Sequence, residues 1–132
     1  MLNVSANFVA ARVGRLATCG AQGQPHCVPV CFVWFEGRAV IALDEKPKRV
    51  DVLRLKRVRN VLENPLVSLV VDHYEEDWAK LSFVMLEGRA ELRELKFDEL
   101  QALRSKYPQY QAMKLHWGLV VQPERWVTWS AS

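Results

Sequence analysis

The stretch "RLATCGAQGQPHCVPVCFVWFEGRAVIALDE", Arg15 to Glu45, narrows most what this chain can fold into. Short runs of β-branched and aromatic residues are broken by the Gly-rich "GAQGQP" and by "EG" at Glu36–Gly37, which stands at hairpin distance between two apolar runs. The stretch reads as three strands. "LVSLVVD", Leu66 to Asp72, is a further β-branched strand, and "AKLSFVMLEGRAELREL" holds one or two more around Glu87–Gly88. "RWVTW" reads as a closing strand. Six or seven short strands at close spacing favour a small antiparallel barrel with appended helices over a doubly wound sheet.

Three segments read as helical. A short helix begins near Ser5, whose hydroxyl is suited to cap orphan amides. "FDELQALRSKYPQY" places Phe97, Leu100, Leu103 and Tyr107 at helical spacing, with Pro108 ending it. Between the strand sets lies "EKPKRVDVLRLKRVRN", Glu45 to Asn60. Wound as one helix over Val50–Leu62, it gathers Leu53, Leu55, Val58, Val61 and Leu62 on one broad side and sends Lys56 and Arg59 to solvent. Arg54 and Arg57 then fall within or beside the apolar side.

A chain of 132 residues forms one domain, taken here as residues 1–132. Its net charge of +3 is misleading, because half of the residues from Lys46 to Arg59 are Lys or Arg and the remainder of the chain is net acidic. Basicity this local points to a local anion, whereas a nucleic-acid coat spreads over a face. Arg54 and Arg57 either snorkel, with apolar stems packed and heads in water, or face a groove holding that anion. A strand-to-helix junction at "KPKR" offers free amides to a phosphate. Neither a dinucleotide fingerprint nor a Walker sequence is present.

Other constellations are weak. Cys19, Cys27 and Cys31 are odd in number and follow no secretory segment, so a reduced cytoplasm and small buried thiols are expected. No apolar run reaches membrane-spanning length, so no membrane partner is expected. His73 with Asp72, Glu75, Glu76 and Asp77 reads as a solvated loop, and His26 with Cys27 and Cys31 lacks a second ligand pair, so no metal is expected. His116 has no evident nucleophile to serve. A chain without catalytic side chains fits a bound cofactor that carries the chemistry.

With these residues in view, "RLATCGAQGQPHCVPVCFVW", "KPKR" and "RNVLENPLVSLVVDHYEEDW" resemble the flavin-reductase-like split barrel of pyridoxamine-phosphate-oxidase relatives. The likeness runs from about Phe8 to Trp129 and is closer to the branch that uses the deazaflavin coenzyme F420. It implies a mainly β split barrel with a few appended helices, assembled as a homodimer with cofactor at the subunit interface. It implies an oxidoreductase passing hydride from reduced F420 to a small unsaturated or conjugated substrate. FMN is the alternative cofactor; a non-catalytic cofactor or tetrapyrrole module, with His26 or His116 in contact, is the alternative from another class.

The resemblance also assigns site residues. Lys48 and Arg49 clasp the cofactor phosphate, joined by Lys46 and Arg57. Alignment on "KPKR" selects Lys48 and Arg49, whereas alignment on "ENP" selects Lys56 and Arg57, and both stay open. Pro29 and Val30 lie on the strand that passes the cofactor ring, with a bent barrel strand as the plainer reading. Trp78 either stacks on the cofactor or packs across the dimer. No catalytic side chain is assigned.

Overall fold

The computed structural model describes residues 4–44 and 48–131. Among them, seven strands form one antiparallel sheet: β1 (Gly14–Cys19), β2 (Pro25–Val30), β3 (Val33–Phe35), β4 (Arg38–Ala42), β5 (Leu66–His73), β6 (Ser82–Glu94) and β7 (Trp117–Ser130). The sheet order is β2-β1-β5-β6-β7-β4-β3, so β2 and β3 are its edges. The strand pattern's small antiparallel barrel is borne out, in the mainly β split-barrel form that the family resemblance implies. Pro25 and Pro29 sit on edge strand β2, where a missing N–H is tolerated.

Two Glu-Gly pairs behave differently. Glu36 and Gly37 both have positive φ, at 49° and 80°, which makes the tight two-residue turn between β3 and β4. The stretch read as three strands therefore holds four. Glu87 and Gly88 do not turn the chain; β6 runs straight through them as one strand of 13 residues. There the pairing shifts, Glu87 facing Arg125 and Gly88 facing Pro123, which leaves Glu124 as the extra residue of a bulge on β7. A Cβ on Gly88 would stand 2.1 Å from the Gln122 carbonyl oxygen, so only glycine allows that approach.

Alternation along the strands sends one side chain set inward. Leu16, Ile41, Leu69, Leu86 and Leu119 meet in the barrel with Phe8 and Phe32, all essentially without exposure. Each such leucine contributes about 2 kcal/mol by leaving water. β4 is buried on both sides: Ala39 and Ile41 face the barrel, while Val40 and Ala42 meet Leu103, Tyr110 and Leu115 outside it. That explains why "AVIA" is a continuous apolar run instead of an alternating one.

Among the described residues four α-helices accompany the sheet: α1 (Ala6–Ala10), α2 (Arg49–Val52), α3 (Lys56–Glu63) and α4 (Phe97–Lys106). Ser5 caps α1 by accepting from the Asn7 amide at 3.2 Å, as expected. α4 ends just before Pro108, also as expected, though Phe97 is 70% exposed and of its apolar residues Leu103 alone is fully enclosed.

The single helix over Val50–Leu62 is corrected to two short ones. Val52 and Val61 are both buried, yet they lie about 180° apart on a straight helix. A break across Leu53–Leu55, where Leu55 is extended, lets Val52, Val58 and Val61 all enter the same core. Leu62 and Val50 are left more than half exposed. The expectation of buried thiols also fails for Cys27, which is exposed on edge strand β2; Cys19 and Cys31 are partly buried, and all three are free.

Candidate functional site

The end of β4 and the start of β7 are tied by the Leu43 amide, which donates to the Trp117 carbonyl at 2.9 Å. This places Trp117 beside the strand-to-helix junction. The Lys48 carbonyl accepts from the Asp51 amide at 3.1 Å and so opens α2. The Arg49 guanidinium carbon lies 5.9 Å from the centre of the Trp117 ring, a distance at which a cation is drawn to an aromatic face. Lys48 and Arg49 are both exposed. Lys46 lies outside the described residues. α2 is a single turn, so its dipole adds little to these charges.

Arg57 projects from the first turn of α3 and is partly buried. Burial holds its guanidinium below the usual arginine range, opposed first by the negative charge of Asp44. Among the described residues no carboxylate comes within ion-pair distance of it, and its buried Nε has no hydrogen-bond partner. The Trp117 indole nitrogen is likewise buried without an acceptor. Among the described residues, then, two buried donors lack acceptors, one on Arg57 and one on the Trp117 ring that the Arg49 cation approaches. Guanidinium and indole N–H groups of this kind suit an anion with several oxygens.

α3 is held in place from its other end. Asn60, wholly buried, donates from Nδ2 to the Thr18 hydroxyl at 3.0 Å. Glu63 accepts from the Ala21 amide at 2.8 Å, which pins the helix to the β1–β2 turn. Asn60 and Glu63 thus fix the azimuth of Arg57 one turn earlier. Arg54 is exposed, as are Lys56 and Arg59, so of the helix arginines only Arg57 turns inward.

The remaining site candidates are not gathered there within one chain. Trp78 is 67% exposed in the β5–β6 connection, its indole nitrogen 3.4 Å from the Tyr74 hydroxyl. The full length of β6 separates it from Glu94, which pairs with Trp117. Pro29 is exposed opposite Arg15, and Val30 is buried opposite Gly14, at the end of β1 away from Thr18. His116 is exposed, 3.5 Å from Glu94, and the ring of His26 has a buried Nδ1 without a partner. Trp117, Asp44 and Tyr110 were missed from the sequence. "HWG" reads as a connection, and nothing local in it shows that its Trp returns beside residue 44.

A family model described as pyridoxamine 5'-phosphate oxidase matches residues 3–130, nearly the whole chain. The chain belongs to that family. A curated relative, the 5a,11a-dehydrotetracycline/5a,11a-dehydrooxytetracycline reductase of Streptomyces rimosus subsp. rimosus, is 46% identical over 59 residues. That stretch is 45% of this chain and 39% of the reductase, so the chain matches well under half of the relative's length. Solved structures share the fold. A conserved hypothetical protein of Mycobacterium tuberculosis superposes with a TM-score of 0.72 at 21% identity, over 98% of this chain and 87% of that one. The heme storage protein HutZ of Vibrio cholerae gives 0.67 at 16%, over 90% and 85%. An FAD-binding protein of Mesorhizobium loti gives 0.63 at 24%, over 95% and 94%. No described helix is long and apolar enough to cross a membrane.

Proposed function

We propose that this chain is a reductase that binds a phosphate-bearing deazaflavin, F420, and acts on a small conjugated substrate. The carrying observation is Arg57: a half-buried guanidinium with no carboxylate partner among the described residues and an unsatisfied Nε; the Trp117 indole is a second buried donor without an acceptor among them. An anion at this junction would satisfy both donors and offset the burial of the charge. Arg49 and Lys48 would hold the outer oxygens, and Lys46 belongs to the same proposed set. The cofactor, when bound, supplies hydride; the chain binds it, orients it and excludes water. The partial likeness to a reductase of dehydrotetracyclines favours reduction of a conjugated substrate. A phosphodiester with a polyanionic tail suits a long basic segment better than a compact FMN phosphate does.

The working unit is proposed to be a cytoplasmic homodimer with cofactor at the interface. The outward side of β1, β5, β6 and β7 carries Ala17, Val70, Met85 and Val127 in adjacent rows, with Trp129 48% and Leu66 50% exposed. Such a face fits a second copy of the chain. Trp78 and Pro29, remote from Arg57 along one chain's strands, would then contribute from the partner, while the Val30 side chain stays in its own core.

Titration of ligand-free protein with F420 and with FMN, read by fluorescence, tests the cofactor. Tighter F420 binding is expected. Equal or stronger FMN binding would replace F420 with FMN, and no binding of either would leave the tetrapyrrole module.

A further inference from the structure

A small cavity, of about 220 Å³, lies on the outer face of the sheet where β4, β7 and β6 run side by side. Ala39, Val121 and Ala90 face the barrel, so alternation turns Arg38, Gln122, Arg89 and Glu91 outward, with Val120 at the base. Arg89 stands opposite Gln122, and the Ala39–Val121 pair puts Arg38 opposite the same glutamine from the other side. We propose that this cavity is a binding site for a short-chain monocarboxylate, gripped by the Arg38 guanidinium and the Gln122 amide.

The charges define the ligand's head. Three guanidinium groups line the cavity, and two of them already hold carboxylates. Arg89 pairs with Glu124 at 2.9 Å, and Arg93 with Glu99 at 2.6 Å and Glu91 at 3.5 Å. Arg38 makes no ion pair among the described residues, and its buried Nε has no hydrogen-bond partner. A carboxylate would satisfy that Nε and match the planar fork with its two oxygens. One unmatched cation suits one negative charge. A phosphate dianion would meet Glu91 and Glu124 with no second free cation, which separates this cavity from the Arg57 junction. The exposed Gln122 amide adds a neutral donor in the same row. The walls define the tail. Val120 and Ala90 offer an apolar floor, and the volume falls below the roughly 300–1,000 Å³ of ordinary small-molecule pockets. A short alkyl chain fits; a flavin does not. Arg38 opens β4, about 17 Å along the strand from the junction at Leu43, so the two sites are separate.

The test is shift mapping of ¹⁵N-labelled, ligand-free protein with sodium butyrate, and separately with sodium phosphate and sodium chloride at matched ionic strength. Butyrate is expected to give saturable shifts of the Arg38 Nε–H and the Gln122 side-chain amide, together with the backbone amides of Val120 and Ala90. Arg38→Met, which keeps an unbranched stem, is expected to weaken butyrate on the order of tenfold or more. Arg38→Lys keeps the charge without the fork and is expected to fall between the two. Should Arg38→Met fail to fold, the lysine variant carries the test, since wild-type affinity there would overturn the fork. Butyrate shifts elsewhere or nowhere, or an Arg38→Met affinity equal to wild type, would overturn the site. Phosphate or chloride acting as strongly as butyrate would overturn the monocarboxylate class. F420 and FMN titrations are expected to be unchanged in both variants; lost cofactor affinity would place Arg38 in the cofactor site and end its separate role.

Discussion

Arg93 grips Glu99 with both terminal nitrogens, at 2.8 and 2.6 Å, and so fastens the end of β6 to the first turn of α4. Glu99 is 1% exposed and also accepts from the Lys96 amide at 2.8 Å. The Arg93 hydrogen bonds come first among the causes that hold its carboxyl below the usual carboxylate range. Removing one partner of such a pair strands the other, at about 3 kcal/mol. Glu99→Gln is therefore expected to lower stability by about that amount near neutral pH. A carboxyl with a lowered folded pKa stabilises above its unfolded value and loses that contribution as pH falls through the folded one. Urea unfolding at pH 7 and pH 3 checks it: the gap between wild type and variant should narrow in acid.

Lys106 is a cation that burial disfavours. Its ammonium donates to the Phe32 carbonyl at 2.8 Å and to that of Val9 at 3.2 Å, joining α4 to the β2–β3 link and to α1. Burial, with Arg12 adding to it, lowers its pKa to about 8. The unfolded chain then binds more protons than the folded one above that value, so stability should rise with pH toward the ordinary lysine range. Lys106→Arg stays charged and should lack the rise. Denaturation of both proteins at pH 7.5 and 9.5 reads the difference; parallel curves would refute it.

Gly88→Ala tests the bulge. Its Cβ would meet backbone at 2.1 Å, not the end of a side chain that can swing away. Destabilisation of about 1–3 kcal/mol is expected. Gly37→Ala meets no neighbour, and its loss would come from positive φ alone, about 1 kcal/mol. Calorimetry ranking Gly88→Ala as the milder change would contradict the bulge.

Much of this architecture was legible in the chain because period-2 alternation and turn residues are local signals. The Ser5 cap and the helix before Pro108 followed from them directly. The basic segment was harder for a tertiary reason: Val52 and Val61 enter one core from opposite helical faces, and no Gly or Pro marks the break between them. The site was half legible. Arg57 stood out because a cation fell beside the apolar side of the wound segment. Trp117 did not, since its place beside residue 44 depends on β4–β7 pairing across more than seventy residues. Arg54 illustrates the cost of the wrong winding, turning outward once the helix breaks before it.

The Arg57 side chain makes the last prediction, because stability and binding should move in opposite directions. A half-buried guanidinium without a carboxylate partner destabilises the ligand-free fold, through lost solvation and an unsatisfied Nε. Arg57→Met keeps an unbranched apolar stem at the partly buried position but removes the charge. The ligand-free variant is expected to be as stable as wild type or more so, by up to about 2 kcal/mol. Cofactor affinity should fall, since one charge-assisted hydrogen bond to phosphate is worth about 1.5–3 kcal/mol, on the order of tenfold to a hundredfold. Lys48→Ala with Arg49→Ala, both exposed, should weaken binding and leave the melting temperature unchanged. Paired thermal melts and cofactor titrations on the two variants separate the roles. A ligand-free Arg57→Met that unfolds more easily would mean that the guanidinium supports the fold, and the proposed phosphate site would then rest on Lys48 and Arg49 alone.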